Sequence, residues 1–438
     1  MRITASEVAH ITGGHLVGPD CGAVGVSFDS RSLSQGEMFI AVVAERDGND
    51  FVSAARDNGA TLAVVSRGRS VEGITCVEVD NTTVALAQMG RHFRNAMAER
   101  VDGRVVGITG SAGKTSTKNL ARAVLSQQFQ RVHAAVHSLN NDIGVPVTIL
   151  NAPDDIDALV LEMGMRGFHE IERLCSIASP TVGVITNIGD AHGDRVGGAA
   201  GIARAKGELV ESLPSHGTAI LNSDDDWLPA LLNRATCPVL TFGSSPSSDL
   251  VWRFESMDEM GIATATFEFR GETATVTPAL AGVHMVSNAA AAVLVGVACG
   301  MSFLSACSGV GLEMQETGRM AWFIDSFGRR ILDDSYNANE SSMVAALKVL
   351  ASATGDHKIA VLGRMAEVTD SVAAHASVAV FAQQCGIDIV SLETDLYGVP
   401  ASSLDDTLHI LRDRQWDLLL VKGSRSAATE RVVHALLK

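Results

Sequence analysis

Apolar positions along this chain gather in short unbroken runs. Val105-Val106-Gly107-Ile108-Thr109, Ala158-Leu159-Val160-Leu161-Glu162-Met163 and Val182-Gly183-Val184-Ile185-Thr186-Asn187 are three of them, and 218–222 is a fourth. A strand with one wet face alternates apolar and polar residues. A strand covered on both faces does not, so these runs predict parallel strands buried inside a layered domain. Between the runs the spacing becomes helical, at 115–128, 168–177 and 199–213. Leu120, Val124 and Leu125 share one face of the first of these helices. Strand and helix in turn predict a doubly wound, mostly parallel sheet, with ligands expected at the carboxyl ends of its strands.

The same rhythm returns on either side. In the first hundred residues, Gln35-Gly36-Glu37 precedes a strand over 38–42, Asp47-Gly48-Asn49-Asp50-Phe51 opens a helix carrying Val52, Ala54 and Ala55, and Leu62–Val65 reads as the next buried strand. Phe267-Glu268-Phe269 and Thr273-Ala274-Thr275-Val276 predict an antiparallel hairpin around 270–272. Strands are again expected at 330–333, 358–362, 387–391 and 417–421. At 438 residues the chain exceeds one ordinary domain. The expected class is α/β with three domains. A small α/β domain spans 1–100, a central doubly wound domain 101–315 and a Rossmann-like α/β domain 316–438.

Composition narrows the function. A net charge of −16 argues against broad nucleic-acid binding. Seven cysteines without CxxC spacing predict free thiols in a reducing, cytoplasmic setting. The opening MRITASEVAHITGG has no apolar core of a signal peptide, and no apolar run approaches the roughly 18 residues of a membrane span, so no stable membrane insertion is expected.

The chemistry concentrates where the predicted strands end. Thr109-Gly110-Ser111-Ala112-Gly113-Lys114-Thr115-Ser116 is a small-residue loop between a strand and a helix. Its backbone N–H groups and the helix N-terminus suit the phosphates of ATP, Lys114 reaches the outer phosphates, and Thr115 offers a hydroxyl to Mg²⁺. Glu162 closes the next strand and His192 follows the one after, completing a set of hard oxygens and one imidazole for the metal. Asn140 and Asn141 lie in a loop predicted to face the same cleft. Lys206, by composition alone, is a helix-surface lysine. Arg319 leads into the last domain, where Asp333-Asp334-Ser335-Tyr336-Asn337 and Val421-Lys422-Gly423-Ser424-Arg425 load two strand ends with polar groups, as a second jaw of a nucleotide site would. Ser30 and Arg31 in the first domain suit a phosphate or a uracil edge, or are a surface turn.

These motifs, in this order, resemble the Mur ligases, the ATP-dependent amino-acid ligases of peptidoglycan synthesis. The match runs through TGSAGKTS, LNNDIGVP, LEMGMRGFHEIERLCSIASP, TNIGDAH, AKGELVESLP, DDSYNAN, LGRMAEV and VKGSR. The resemblance implies a UDP-substrate domain, an ATPase domain, and a third domain that brings the amine and closes over ATP. It implies amide formation through an acyl phosphate with release of ADP and phosphate. The branch it most resembles adds D-Ala-D-Ala to a UDP-muramoyl tripeptide. A paralogue joining another carboxylate and amine in natural-product assembly, or a nucleotide-gated binding protein without turnover, are the alternatives. By the family pattern Lys114 and the loop hold the β- and γ-phosphates, with Gly110, Ser111, Gly113, Thr115 and Ser116 around them. Thr115 and Glu162 would hold one Mg²⁺ and His192 a second, placed with the help of a carbamylated Lys206. Asn288, Arg319, Asp334 and Asn337 match positions that contact ATP. Lys422 and Arg425 lie near the acceptor site, and a monomer is expected. The chain departs from the pattern at Asn49, where the family's DGHDF has histidine, at Met285, where a helix-opening Asn is usual, and at Glu340, where DSYNANP ends in proline.

Overall fold

The computed structural model describes residues 2–136, 138–189, 196–312, 316–366, 368 and 370–437. Strand Val105–Thr109 lies inside a nine-stranded sheet, with Ala158–Glu162 on one side and Val182–Ile185 on the other. Beyond these come Val132–Ala134 at one edge, and Thr218–Asn222, Val239–Gly243 and Leu250–Met257 toward the other, all parallel. The hairpin Ala263–Phe269/Glu272–Val276 finishes that edge antiparallel. Its turn has two residues, not the predicted three. Arg270 at φ 51° and Gly271 at φ 83° supply the left-handed pair that a tight hairpin requires, and Glu272 already pairs with Phe269.

The unbroken apolar runs have a direct physical cause. Val106, Ile108, Ala158 and Val160 point to one face, against helices Lys114–Leu125 and Val283–Ala298. Val105, Leu159 and Leu161 point to the other, against helices Gly144–Leu150, Glu170–Ala178 and Gly198–Glu211. Side chains still alternate with period two, but both faces are dry. Helix Val283–Ala298 approaches helix Lys114–Leu125 closely, which its run Ala289–Ala292 and Gly296 permit. A Cβ on Gly296 would stand 2.9 Å from Val124 Cγ1.

A five-stranded sheet precedes this layer, in the order His15–Val17, Thr75–Val79, Leu62–Ser66, Met38–Ile40, Val26–Ser27. A six-stranded sheet follows it, in the order Ala321–Ile324, Arg330–Asp334, Leu418–Lys422, Lys358–Leu362, Asp388–Leu392, Ala401–Ser402, with only its first pair antiparallel. The first sheet is keyed to the central one through helix Gly144–Leu150, every residue of which is buried. Val145 and Ile149 face the central sheet, while Val147 and Leu150 enter the core of the first. The Asn151 carboxamide then accepts from Val26 N and donates to Val26 O, both at 2.8 Å, as an extra rung on the edge strand. All seven cysteines are free thiols. Among the described residues no helix is long and apolar enough to cross a membrane.

Candidate functional site

Because Val105–Thr109 sits between Ala158–Glu162 and Val182–Ile185, three polar strand ends converge at the carboxyl edge of the sheet. The loop after Val105–Thr109 is held by the segment that follows Val182–Ile185. Ser111 N donates to Asn187 O at 3.0 Å, Ala112 N to Asn187 Oδ1 at 3.0 Å, and Thr186 Oγ1 to Ala112 O at 2.6 Å. Two glycines are required. A Cβ on Gly110 (φ 152°) would lie 1.8 Å from Thr186 Oγ1, and one on Gly113 (φ 80°) would lie 2.5 Å from Asn288 Oδ1. Asn288 is thus placed against the loop, and its Nδ2 donates to the sulfur of Met285 at 3.5 Å. Ser116 is half-buried in the first turn of the helix.

Lysines gather on this loop. Lys114 Nζ donates to Gly110 O at 2.8 Å. Lys206 Nζ reaches the same carbonyl at 3.0 Å and is 2% exposed, so the composition-based reading of a surface lysine is corrected: its helix face points into the site. Carbamylation of Lys206, implied by the resemblance, gains no support. Lys118, one helical turn beyond Lys114, is fully buried and donates to Ala135 O at 2.6 Å. Burial pushes its pKa down, while the charges of Glu162 and Glu316 pull the other way.

Two side chains read from the sequence as metal ligands, those of Thr115 and Glu162, meet. Thr115 Oγ1 donates to Glu162 Oε2 at 2.6 Å, and Asn140 Nδ2 donates to Glu162 Oε1 at 2.8 Å. Glu162 is 2% exposed. A hydroxyl and a carboxylate oxygen at such a spacing, beside a phosphate-binding loop, are a donor set that fits one Mg²⁺. His192, expected at a second ion, lies outside the described residues. Among the described residues no group of three or more His, Cys, Asp or Glu side chains could hold a metal. Asn141 is differently employed from its neighbour. Its Oδ1 accepts from Gly144 N at 2.8 Å and Ile143 N at 3.1 Å, capping the buried helix.

The six-stranded sheet presents the opposing jaw. Lys422, buried, donates to Asp334 Oδ2 and, at 2.9 Å, to Asn337 O, so it ties two strand ends together. Asp334 Oδ1 also accepts from Met320 N at 3.2 Å, while Asn337 is exposed. Asp333, fully buried, accepts from Gly318 N at 2.9 Å and Ser335 N at 3.1 Å, and burial raises its pKa. The Arg319 guanidinium lies 4.1 Å from the centre of the Tyr336 ring, with the exposed Arg425 at 5.9 Å from the same ring. Arg319 Nη2 also crosses to the central unit and donates to Ser138 Oγ at 2.8 Å.

The first sheet's candidates are set apart from this cluster. Ser30 is buried and its carbonyl accepts from Asn58 Nδ2 at 2.7 Å. Arg31 is exposed and forks onto Asp29 at 2.9 and 2.7 Å, which lowers the Asp29 pKa to about 2.

A family model described as "Mur ligase middle domain" matches residues 108–296, and one described as "Mur ligase, glutamate ligase domain" matches residues 318–436. The chain belongs to the Mur ligase family. A UDP-N-acetylmuramoyl-tripeptide--D-alanyl-D-alanine ligase of Escherichia coli K12 is 35% identical over 100% of this chain and 98% of its own. Among solved structures, MurF of Acinetobacter baumannii superposes with a TM-score of 0.87 at 28% identity, covering 100% of this chain and 99% of that one. MurF of Thermotoga maritima, solved in complex with ADP, gives a TM-score of 0.78 at 27% identity, over 94% of this chain and 97% of that one.

Two of the Mur ligase's three departures from the family pattern have local structural accounts. Asn49 is buried and locks its loop to strand Leu62–Ser66, donating to Ser66 Oγ at 3.1 Å and accepting from Ser66 N at 3.0 Å. Glu340 is the first residue of helix Glu340–Ser352, capped by Asn339, where a carboxylate faces the positive helix end. Two residues escaped the sequence reading of this Mur ligase, Lys118 and Ser138, while Thr186 and Tyr336 entered it only as members of their motifs. Lys118 had a signal, since it stands at i+4 from Lys114 on one helix face. Ser138 had none, because its two partners, Thr115 and Arg319, come from separate and distant segments.

Proposed function

We infer that this Mur ligase adds D-Ala-D-Ala to a UDP-N-acetylmuramoyl tripeptide with ATP, in the making of peptidoglycan precursors. Full-length similarity to ligases of that name supports the substrates. The observation that carries the chemistry is the meeting of Thr115 and Glu162, 2.6 Å apart, at the edge of a phosphate-binding loop. ADP in the Thermotoga maritima neighbour supports the nucleotide.

A carboxylate is a poor electrophile, so the γ-phosphoryl group is first transferred to it. In this reading the 110–115 amides and Lys114 cradle the β- and γ-phosphates. Thr115 and Glu162 hold a Mg²⁺, which when bound offsets charge on the transferring phosphoryl. His192 is assigned to a second ion. Lys206 enters as a buried donor that pins the Gly110 carbonyl and so shapes the loop. The amine attacks the acyl phosphate and phosphate leaves. Water must be excluded while that intermediate exists, which gives the third unit its task. Asn288, Arg319, Asp334 and Asn337 are assigned to the nucleotide, Lys422 and Arg425 to the acceptor side, Ser30 and Arg31 to the UDP end, and Asn140 and Asn141 to the cleft between. The domains are taken as 1–100, 101–315 and 316–438, in a cytoplasmic monomer.

Phosphate release tests this directly. It is measured with ATP and Mg²⁺ while the UDP-muramoyl tripeptide and D-Ala-D-Ala are added singly and together. Release that needs both supports the reading, and Lys114→Ala then abolishes it. Release only with other carboxylate and amine pairs, or unchanged release in Lys114→Ala, refutes it.

A further inference from the structure

Ser138 stands where two units of the molecule meet. Its Oγ lies 3.0 Å from Thr115 Oγ1 and accepts from Arg319 Nη2 at 2.8 Å. Which way the protons point follows from donor capacity. Arg319 can only donate, and Glu162 as a carboxylate, the form that ligates a metal, can only accept. Thr115 has one proton, and it goes to Glu162 Oε2 at 2.6 Å. The contact between the two hydroxyls is therefore made by the Ser138 proton. The order is fixed throughout: Arg319 N–H to Ser138, Ser138 O–H to Thr115, Thr115 O–H to Glu162. Bonds aligned in one direction polarise one another, and each holds the next rotor in place. The chain begins on a residue carried by the six-stranded sheet and ends on the two oxygens that fit the metal. One lone pair of Thr115 Oγ1 is filled by Ser138, which leaves the other to face the cleft.

We propose that Ser138 is a positioning residue of the phosphoryl-transfer site: its single hydroxyl couples the docking of Arg319 to the orientation of Thr115. The proposal rests on the reading of Thr115 and Glu162 as the Mg²⁺-side pair. Ser138 touches neither nucleotide nor substrate in this role. It makes nucleotide binding at the loop sensitive to the position of the third unit, and it does so through one proton.

The experiment is a double-mutant cycle on Ser138→Ala and Arg319→Gln, read as calorimetric affinity for ATP in Mg²⁺ and in EDTA. Wild-type phosphate release with both substrates is confirmed first, so failure of the functional reading is seen separately. In Mg²⁺ Ser138→Ala weakens ATP binding by about 10-fold and Arg319→Gln by at least as much, since it also loses its own nucleotide contact; adding Ser138→Ala to Arg319→Gln costs little more, because the chain is already broken. In EDTA the Ser138→Ala effect vanishes. Ser138→Thr, which keeps the hydroxyl, restores the wild-type affinity, and melting curves establish that every variant is folded. Independent, multiplying losses in the two variants overturn the proposal. So does a Ser138→Ala loss of equal size in EDTA, or a Ser138→Thr variant that behaves like Ser138→Ala. Should Ser138→Ala not fold, Ser138→Cys, whose thiol is a weak donor, takes its place in the cycle with the same outcomes.

Discussion

Thr115 and Glu162 are 47 positions apart in the chain, and their side-chain oxygens lie 2.6 Å apart. Neighbouring parallel strands make this possible, since Glu162 is in register with Ile108, one residue before the end of the P-loop strand. Glu162→Gln keeps the shape and removes the charge. Phosphate release is expected to fall about 100-fold or more, with half-saturation moved to higher Mg²⁺. A Mg²⁺ titration of the rate checks this, and a rate within about threefold of wild type would dismiss Glu162 as a metal-side group.

Gly110 is held by space. A Cβ there would meet Thr186 Oγ1 at 1.8 Å. Gly110→Ala is expected to displace Thr186, release the Ala112 carbonyl and abolish ATP binding. Gly167→Ala is the control, because its Cβ would meet only Glu170 Oε1, at 3.6 Å. It should shift stability by no more than about 0.5 kcal/mol. Calorimetric ATP binding and melting curves separate the two.

Asn151→Ala removes both rungs to Val26 at the edge of the first sheet. The amide and carbonyl of the buried Val26 lose these partners, at a cost of about 1–3 kcal/mol. If the first unit holds the UDP end, KM for the UDP substrate should rise more than KM for ATP. Equal changes in both would show that Asn151 serves stability alone.

His375 predicts an acid limit. It is fully buried, accepts from Met365 N at Nε2 at 2.9 Å, donates from Nδ1 to Ser371 O, and packs 4.8 Å from the Tyr397 ring. Burial lowers its pKa from 6.5, and it does the same for His133. Well above pH 6.5 both are neutral whether folded or unfolded, and they contribute no dependence. As pH falls below that value the unfolded chain takes up protons that the folded chain refuses, so stability declines. The slope is at most about 1.4 kcal/mol per pH unit for each histidine. Urea unfolding from about pH 7.5 to about pH 5.5 measures it, and His375→Gln should flatten it by one proton's share. An equal slope in that variant would refute the assignment.

Much of the site was legible because it lies on strand ends. A run of apolar residues that stops at Thr109, Glu162 or Asn187 announces both a buried strand and the polar residue at its tip. Lys422 and Asp334 were legible for the same reason. Lys206 was not. A lysine among alanines on a helix has no sequence mark that says which way it faces, and only packing against the central sheet turns it toward Gly110. Asn140 and Asn141 show the same limit within one dipeptide. Both were placed at the cleft, yet one steadies Glu162 and the other caps a helix.

The sequence by itself determined the layers, the P-loop, the order of motifs and the family, because these depend on local periodicity and on residues close together in the chain. Tertiary structure alone decided which oxygens meet, which lysines are buried, and that Arg319 reaches Ser138 across 181 positions. The physical reason is that a hydrogen bond needs donor and acceptor within about 3 Å and aligned, and for such groups the fold sets that distance, not the spacing along the chain.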